Sequence, residues 1–262
     1  MPKDAGSKWW IELGPISTPV DDPRADAPAG GSPSSTRYAA SVAQVQQPAD
    51  LKDVRASYDR VADAYVDLAV GRLEDEPWLR AALDAFAEDV AGLGPVLDVG
   101  CGPGHVTAHL ASRGLNVRGV DLSPRMVEHA RRRYPSQRFD VASATDLNLA
   151  PGSLGGVLGW WSLFNLPRHV LPEVVDDFAR SLVPGGQVLI GTHVGEQDIT
   201  RRRAYGGVPV TWTTHRWLPE QLVDVLVAAG LEVVAEMRFP ASGEQPPQVV
   251  LAARRPREVP TY

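Results

Sequence analysis

The sequence predicts an α/β fold: a doubly wound sheet, mostly parallel, with helices on both faces and an antiparallel C-terminal strand. Three observations carry this. From residue 95 onward, short apolar runs alternate with stretches of helical period. A glycine-rich turn joins the first such run to the first such helix. The last two runs, 231–239 and 248–253, are separated only by residues 240–247. A parallel crossover needs about a dozen residues or more, so these two strands should pair antiparallel.

The elements follow in order. Leu51, Val54, Tyr58, Val61, Tyr65 and Ala69 recur three or four residues apart, which predicts a helix from residue 51. Pro77 suits the first turn of a second helix, whose buried stripe is Leu79, Leu83, Phe86 and Val90. Strands are expected at 95–99, 117–120, 138–142, 155–160 and 187–192. Helices are expected between them at 106–112, 124–133 and 170–182, and after them at 219–229. Ser123 is a good N-cap, with Pro124 at the first helical position. The segment 195–218 interrupts the alternation. Within it, residues 209–217 alternate like a β-ribbon.

Residues 1–50 differ from the rest. Seven of the 23 prolines lie there, among Gly, Ala, Ser and Asp. Such a composition buries too little apolar surface to offset ordering, so a disordered or loosely docked tail is expected, with Trp9 and Trp10 as its one sticky spot. The chain then divides into N-terminal helices at 51–92 and a core at 93–262.

Composition narrows the function. The 262 residues are 44% hydrophobic and 22% charged, with a formal net charge of −6. No global basic field exists to hold a nucleic acid. Cys101 is the single cysteine, which excludes an intrachain disulfide and a Cys-based zinc site, and no metal is expected. No apolar run reaches the roughly 20 residues of a membrane span, and no signal peptide opens the chain, so a cytoplasmic protein without membrane contact is expected. Nothing in the composition specifies an oligomeric state.

The informative segment is Val96-Leu97-Asp98-Val99-Gly100-Cys101-Gly102-Pro103-Gly104. Glycines at such a strand-to-helix turn let a ligand approach the main chain closely. The carboxyl end of the first strand is the expected nucleotide crevice. A dinucleotide fingerprint needs a glycine where His105 stands, and Gly104 comes one residue early. Asp121 ends the second strand, where a carboxylate can accept both hydroxyls of a ribose.

D-V-G-C-G-P-G with its preceding acid resembles motif I of the class I S-adenosylmethionine (SAM) methyltransferases, from residue 51 to about 255. The resemblance implies a Rossmann-like sheet with SAM as cofactor. It implies that Asp98, Gly100, Cys101, Gly102 and Gly104 form the cofactor loop and that Asp121 holds the ribose. Leu122 and Met126, in D-x-S-x-x-M, would flank adenine; Ala144 and Thr145 would meet its edge, with Ser143 where the family has an Asp. Trp160 would line the cofactor and reaction site. Tyr58 and Tyr65, in Y-x-x-x-A-x-x-Y, would lid the methionine end, so the helices at 51–92 would cover the cofactor cleft.

For the acceptor, the insertion 195–218 is a natural lid at the carboxyl edge. Trp161, Asn165, Tyr205, Trp212 and Trp217 are the candidate substrate residues, the tryptophans serving equally well as core. His193, ending a strand, is the favoured candidate proton acceptor because strand ends are better fixed than loop tips, with His215 on the lid second and Asp198 and Tyr205 behind them. His105 and His109 read as a solvated helix face and His129 as a surface residue, while Arg201-Arg202-Arg203 reads as a solvated loop, with attraction of an acidic substrate as the alternative. The segment 159–167, which resembles the family's motif IV, lacks the Pro-Pro of base N-methyltransferases, and Cys101 is misplaced for cytosine C5 chemistry. The expected function is methyl transfer from SAM to a small-molecule acceptor such as a secondary metabolite. The alternatives are a macromolecule methyltransferase and a non-catalytic SAM-binding regulatory protein.

Overall fold

A computed structural model describes residues 49–69, 72–243 and 245–257. The N-terminal tail, with Trp9 and Trp10, lies outside the described residues apart from its last two.

The chain opens with α1 (Ala49–Ala69), a short α2 (Arg72–Asp75) and α3 (Pro77–Asp89). The sheet region follows as β1 (Val96–Val99), α4 (His105–Ser112), β2 (Val117–Asp121), α5 (Pro124–Arg133), β3 (Arg138–Val141), β4 (Leu154–Trp160), α6 (Leu171–Ser181) and β5 (Leu182–His193). A hairpin of β6 (Ile199–Ala204) and β7 (Val208–Thr214) comes next, then α7 (Pro219–Ala228), β8 (Glu232–Phe239) and β9 (Gln248–Arg254). Seven strands form one sheet in the order β3-β2-β1-β4-β5-β9-β8, and β6-β7 form a separate ribbon. Strands β1 to β5 pair parallel. β9 is antiparallel to both β5 and β8, as the short 240–247 connection requires.

Two differences from the sequence reading are local. β5 begins at Leu182 rather than 187, running through Val183-Pro184-Gly185-Gly186. The four-residue α2 carries too little periodic pattern to be visible.

The sheet buries both faces, so its strands read as continuous apolar runs. Leu97, Val157, Val188, Ile190 and Leu251 face one layer, with α1, α6, α7 and the hairpin. Val96, Leu158, Leu189 and Val250 face the other, with Leu83 and Phe86 of α3 and Leu110 of α4. This period of two turns Asp98 away from Leu97 and toward α4, where Thr107 meets it. The α3 stripe is buried as its spacing requires: Leu83 and Val90 are fully enclosed. Phe86 fills the space left by Gly156, whose Cβ would stand 2.6 Å from the ring. Ser123 caps α5 by accepting from the Met126 amide at 3.2 Å.

Candidate active site

The glycine loop lies where β1 meets α4. Gly100 has φ of +74°, and a Cβ there would stand 2.2 Å from Cβ of Ser162. Glycine is therefore needed twice over, for the left-handed turn and for the close approach of the chain after β4. Ser162 fixes that approach by donating to the Val99 carbonyl at 2.6 Å.

Two carboxylates flank the loop. Asp121 accepts from the Gly102 amide and the Ser123 amide, each at 2.8 Å. Burial pushes its carboxyl up to about 6, although these two amides oppose the rise. Asp98 is 1% exposed and accepts from the Thr107 hydroxyl at 2.6 Å through one oxygen. Its other oxygen is buried with no hydrogen-bond partner. Burial also pushes Asp98 up to about 6, with the nearby Asp121 adding to the rise and Thr107 opposing it. The Cys101 thiol is buried and held well above its usual range by burial and the two aspartates, so it is an inert wall of the loop.

An open cleft beside the loop is lined by Tyr65, Glu76, Asp98, Gly100, Cys101, Gly102, His105, Trp160 and Trp161, among others. Among the described residues no lysine or arginine lines it. This donor set fits SAM, whose cationic amino group suits the open oxygen of Asp98 and whose ribose suits Asp121, and which brings no phosphate to neutralise.

Trp161 is held under strain. It has φ of +49°, and its amide donates to the Gly191 carbonyl at 2.9 Å. Its ring occupies the space over Gly191, 2.4 Å from where a Cβ would stand. Trp160 crosses it edge-on with centroids 4.8 Å apart. Leu122 is half-buried against the core and Met126 is 1% exposed. Ser143 and Thr145 share a hydroxyl hydrogen bond of 2.8 Å, so the loop after β3 is closed on itself without the family's Asp. Ala144 packs half-buried against the core.

The lid segment is a hairpin docked on α1. Ser57 accepts from the Thr211 amide at 2.8 Å and donates to its carbonyl at 3.3 Å. Tyr58 stacks on Trp212 with centroids 4.8 Å apart and planes 4° from parallel. Tyr65 meets Tyr205 edge-on at 5.3 Å. Both tyrosines of α1 therefore meet the hairpin, and Tyr65 also lines the cleft beside the glycine loop. Asn165 donates to the Tyr58 hydroxyl at 3.0 Å. Trp212 and Trp217 are both buried and belong to the core.

Four expectations change. His109 is not a solvated residue, because its ring bonds Asp84 of α3 at 2.8 Å. His129 is not free on the surface, because it bonds Asp63 of α1 at 2.7 Å. Arg201 is half-buried, while Arg202 and Arg203 are exposed, so the three arginines do not form one solvated run. Asp198 is more than a secondary candidate. It accepts from Nδ1 of His215 at 2.7 Å and from Arg168 at 2.9 Å. Burial opposes ionisation of Asp198, but those partners hold it below the usual carboxylate range. The Arg168 guanidinium also lies over the Trp217 ring, 4.8 Å from its centre. His193 sits between Trp161 and Phe164, with ring centroids 6.5 and 5.3 Å away. The His215 amide donates to the Phe164 carbonyl at 2.7 Å. Both histidines thus gather around Phe164, outside the lining of the cleft beside the glycine loop. Among the described residues no group of three metal-ligating side chains occurs. No described helix is long and apolar enough to cross a membrane.

Strand order, a glycine loop after the first strand and an acid ending the second define the class I methyltransferase sheet. Residues 96–186 match the family model described as a methyltransferase domain. It is 33% identical over 143 residues to a demethylmenaquinone methyltransferase of Tropheryma whipplei, covering 53% of this chain and 58% of that protein. It is 38% identical over 114 residues to a trans-aconitate 2-methyltransferase of Methylobacterium nodulans, covering 41% and 42%. The matched stretches thus span about half the length of these relatives. Among solved structures, a 1,6-didemethyltoxoflavin-N1-methyltransferase of Burkholderia thailandensis, with S-adenosylhomocysteine bound, superposes with a TM-score of 0.60 at 21% identity. That match covers 84% of this chain and 93% of the other and shows a shared fold.

Proposed function

We propose that this protein transfers a methyl group from SAM to a small-molecule acceptor held between α1, the β4 end and the hairpin. The observation that carries the cofactor half is the pair of carboxylates beside the glycine loop, Asp98 buried and Asp121 half-buried. Asp98 offers an unpartnered buried oxygen to a cation, and Asp121 ends β2 at ribose position. The acceptor half is supported by the enclosure. The hairpin packs onto α1 through Ser57, Tyr58 and Trp212, which favours a molecule that fits beneath it over an extended macromolecule. The similar demethylmenaquinone and trans-aconitate enzymes, by their names, methylate small molecules.

When bound, SAM supplies an electrophilic methyl group on its sulfonium. The protein contributes position, worth roughly 7–11 kcal/mol of barrier in well-oriented reactions. It also contributes a proton acceptor where the acceptor atom carries a proton. His215 is the better oriented of the two histidines, because Asp198 fixes Nδ1 as the protonated nitrogen and leaves Nε2 to accept. His193 is held by the sheet at the end of β5.

Calorimetry should show SAM and S-adenosylhomocysteine binding, with NAD and ATP silent. Tritiated-methyl transfer from SAM into a metabolite extract should label a small product. NAD binding without SAM binding would overturn the assignment. His215→Ala should lower turnover by roughly 10²–10⁴-fold at unchanged SAM affinity, the usual contribution of a general base. If His215→Ala and His193→Ala both keep full turnover, neither is the base.

A further inference from the structure

We infer that the acceptor is an anion bearing a carboxylate, and that Arg201 on the inner face of the hairpin binds that carboxylate. This rests on the methyl-transfer assignment above and names its substrate class.

Arg201 stands directly opposite Trp212 in the β6–β7 register. Opposed residues share a face, so Arg201 belongs to the face that carries the buried Trp212 and its partner Tyr58. A bulge between Arg201 and Arg203 separates it from its exposed neighbours. No carboxylate lies within ion-pair distance of Arg201 among the described residues, whereas Arg168 at the hairpin base has Asp198. A half-buried guanidinium without a counter-charge is costly, and a ligand carboxylate that fits its planar fork removes that cost.

The surroundings suit such a ligand. Tyr58 and Tyr205 lie within electrostatic reach of Arg201, and Arg216 adds a second positive charge nearby. Burial holds the Tyr58 phenol well above its usual range, so it stays protonated. Because its oxygen accepts from Asn165, its own proton is left to donate. Asn165 is 7% exposed and keeps a buried carbonyl oxygen without a partner, an acceptor that needs a hydroxyl or N–H elsewhere on the ligand and not its carboxylate. Tyr205 connects this cluster through Tyr65 to the cofactor loop. The Tyr65 ring lies 3.8 Å from the position of a Cβ on Gly102. An anion on Arg201 would therefore sit one aromatic pair away from the methyl donor's loop.

The test uses the full chain, with and without S-adenosylhomocysteine, and follows tryptophan fluorescence on titration with benzoate, succinate, benzamide and succinamide. At least one acid should bind tenfold or more tightly than its amide. Arg201→Gln should abolish that preference, Arg201→Lys should keep part of it, and Arg202→Gln should leave it unchanged. S-adenosylhomocysteine affinity should be the same in all four proteins, which shows that each is folded. Acids and amides binding alike, no acid binding, or an Arg201→Gln protein that keeps the preference would each overturn the inference. Failure of S-adenosylhomocysteine to bind would instead overturn the cofactor assignment. The acid-against-amide contrast in the unliganded protein still decides Arg201 in that case.

Discussion

Asp98 and Asp121 have ordinary carboxylate chemistry in an unusual setting. Both are raised to about 6 by burial, above the roughly 4 of an unfolded chain. A raised acid favours the folded state below its unfolded value, and that contribution is lost as pH rises through about 6. At pH 7.5 Asp98→Asn should therefore melt higher than the parent protein without cofactor, and the gap should close by pH 4.5. Thermal melts across that range check it; a gap independent of pH would mean that Asp98 does not titrate there. SAM needs the charged form of Asp98, so its affinity should fall as pH drops through about 6 in the parent and fall less steeply in the variant, where Asp121 alone of the two still titrates there. Asp121→Ala should weaken SAM by roughly 1.5–3 kcal/mol, the range for hydrogen bonds involving a charged group, measured by calorimetry. The strained Trp161 gives a third handle. Gly191→Ala places a methyl group inside its ring, so the ring must move toward the cleft. Affinity for SAM or acceptor should drop while the sheet, which accepts alanine at an extended position, stays folded.

The hairpin is the element on which acceptor binding turns. Its strands pair with each other and not with the main sheet, so its position depends on α1. Ser57 makes two of the bonds to Thr211, and Arg60 reaches the Pro209 carbonyl at 3.1 Å. Ser57→Ala removes both serine bonds and strands the Thr211 amide, which should cost about 1–3 kcal/mol locally. Hydrogen exchange should then quicken across residues 199–214 while the seven-stranded sheet keeps its protection. Acceptor affinity should fall and SAM affinity should not. Equal exchange in the two proteins would show that the stack of Tyr58 on Trp212 and the Arg60 bond to Pro209 hold the hairpin without Ser57. A core change behaves differently: Phe86→Ala leaves a hole beside Gly156 and should cost about 3–5 kcal/mol globally.

On the scale of the whole molecule, the sheet carries its chemistry at one edge, where β1, β2 and β4 end together and β5 brings His193. The helix α1 closes that edge from above. Its Asp59 accepts from the Ser123 hydroxyl at 2.6 Å, at the cap of α5 and next to the ribose acid. Residues 1–48 have a composition that supplies no core, so a chain beginning at Ala49 should keep the melting temperature and SAM affinity of the full chain. Circular dichroism and calorimetry on the truncated protein check this. A truncated chain that fails to fold would make Trp9 and Trp10 the first place to look for a docking contact.

The sequence by itself determined the sheet, its helices and the cofactor loop. Period-two and period-3.6 patterns and turn glycines are local, and Asp98 through Gly104 and Asp121 are each separated from their partners by a single βα step. The antiparallel pairing of β8 and β9 was legible for the same reason, since a short loop permits nothing else. The acceptor side was legible only as candidates. Trp212, Tyr205 and Asn165 could be named, but in each contact the partner, Tyr58 or Tyr65, lies more than 100 residues away in the chain. Only the tertiary structure decided that Asp198 orients His215, that Arg168 holds Asp198, and that Arg201 turns inward while its two neighbours face water. Charge and residue type say what a side chain can do. Which face it joins, and what lies opposite, is set by how the hairpin packs on α1, and no local pattern encodes that.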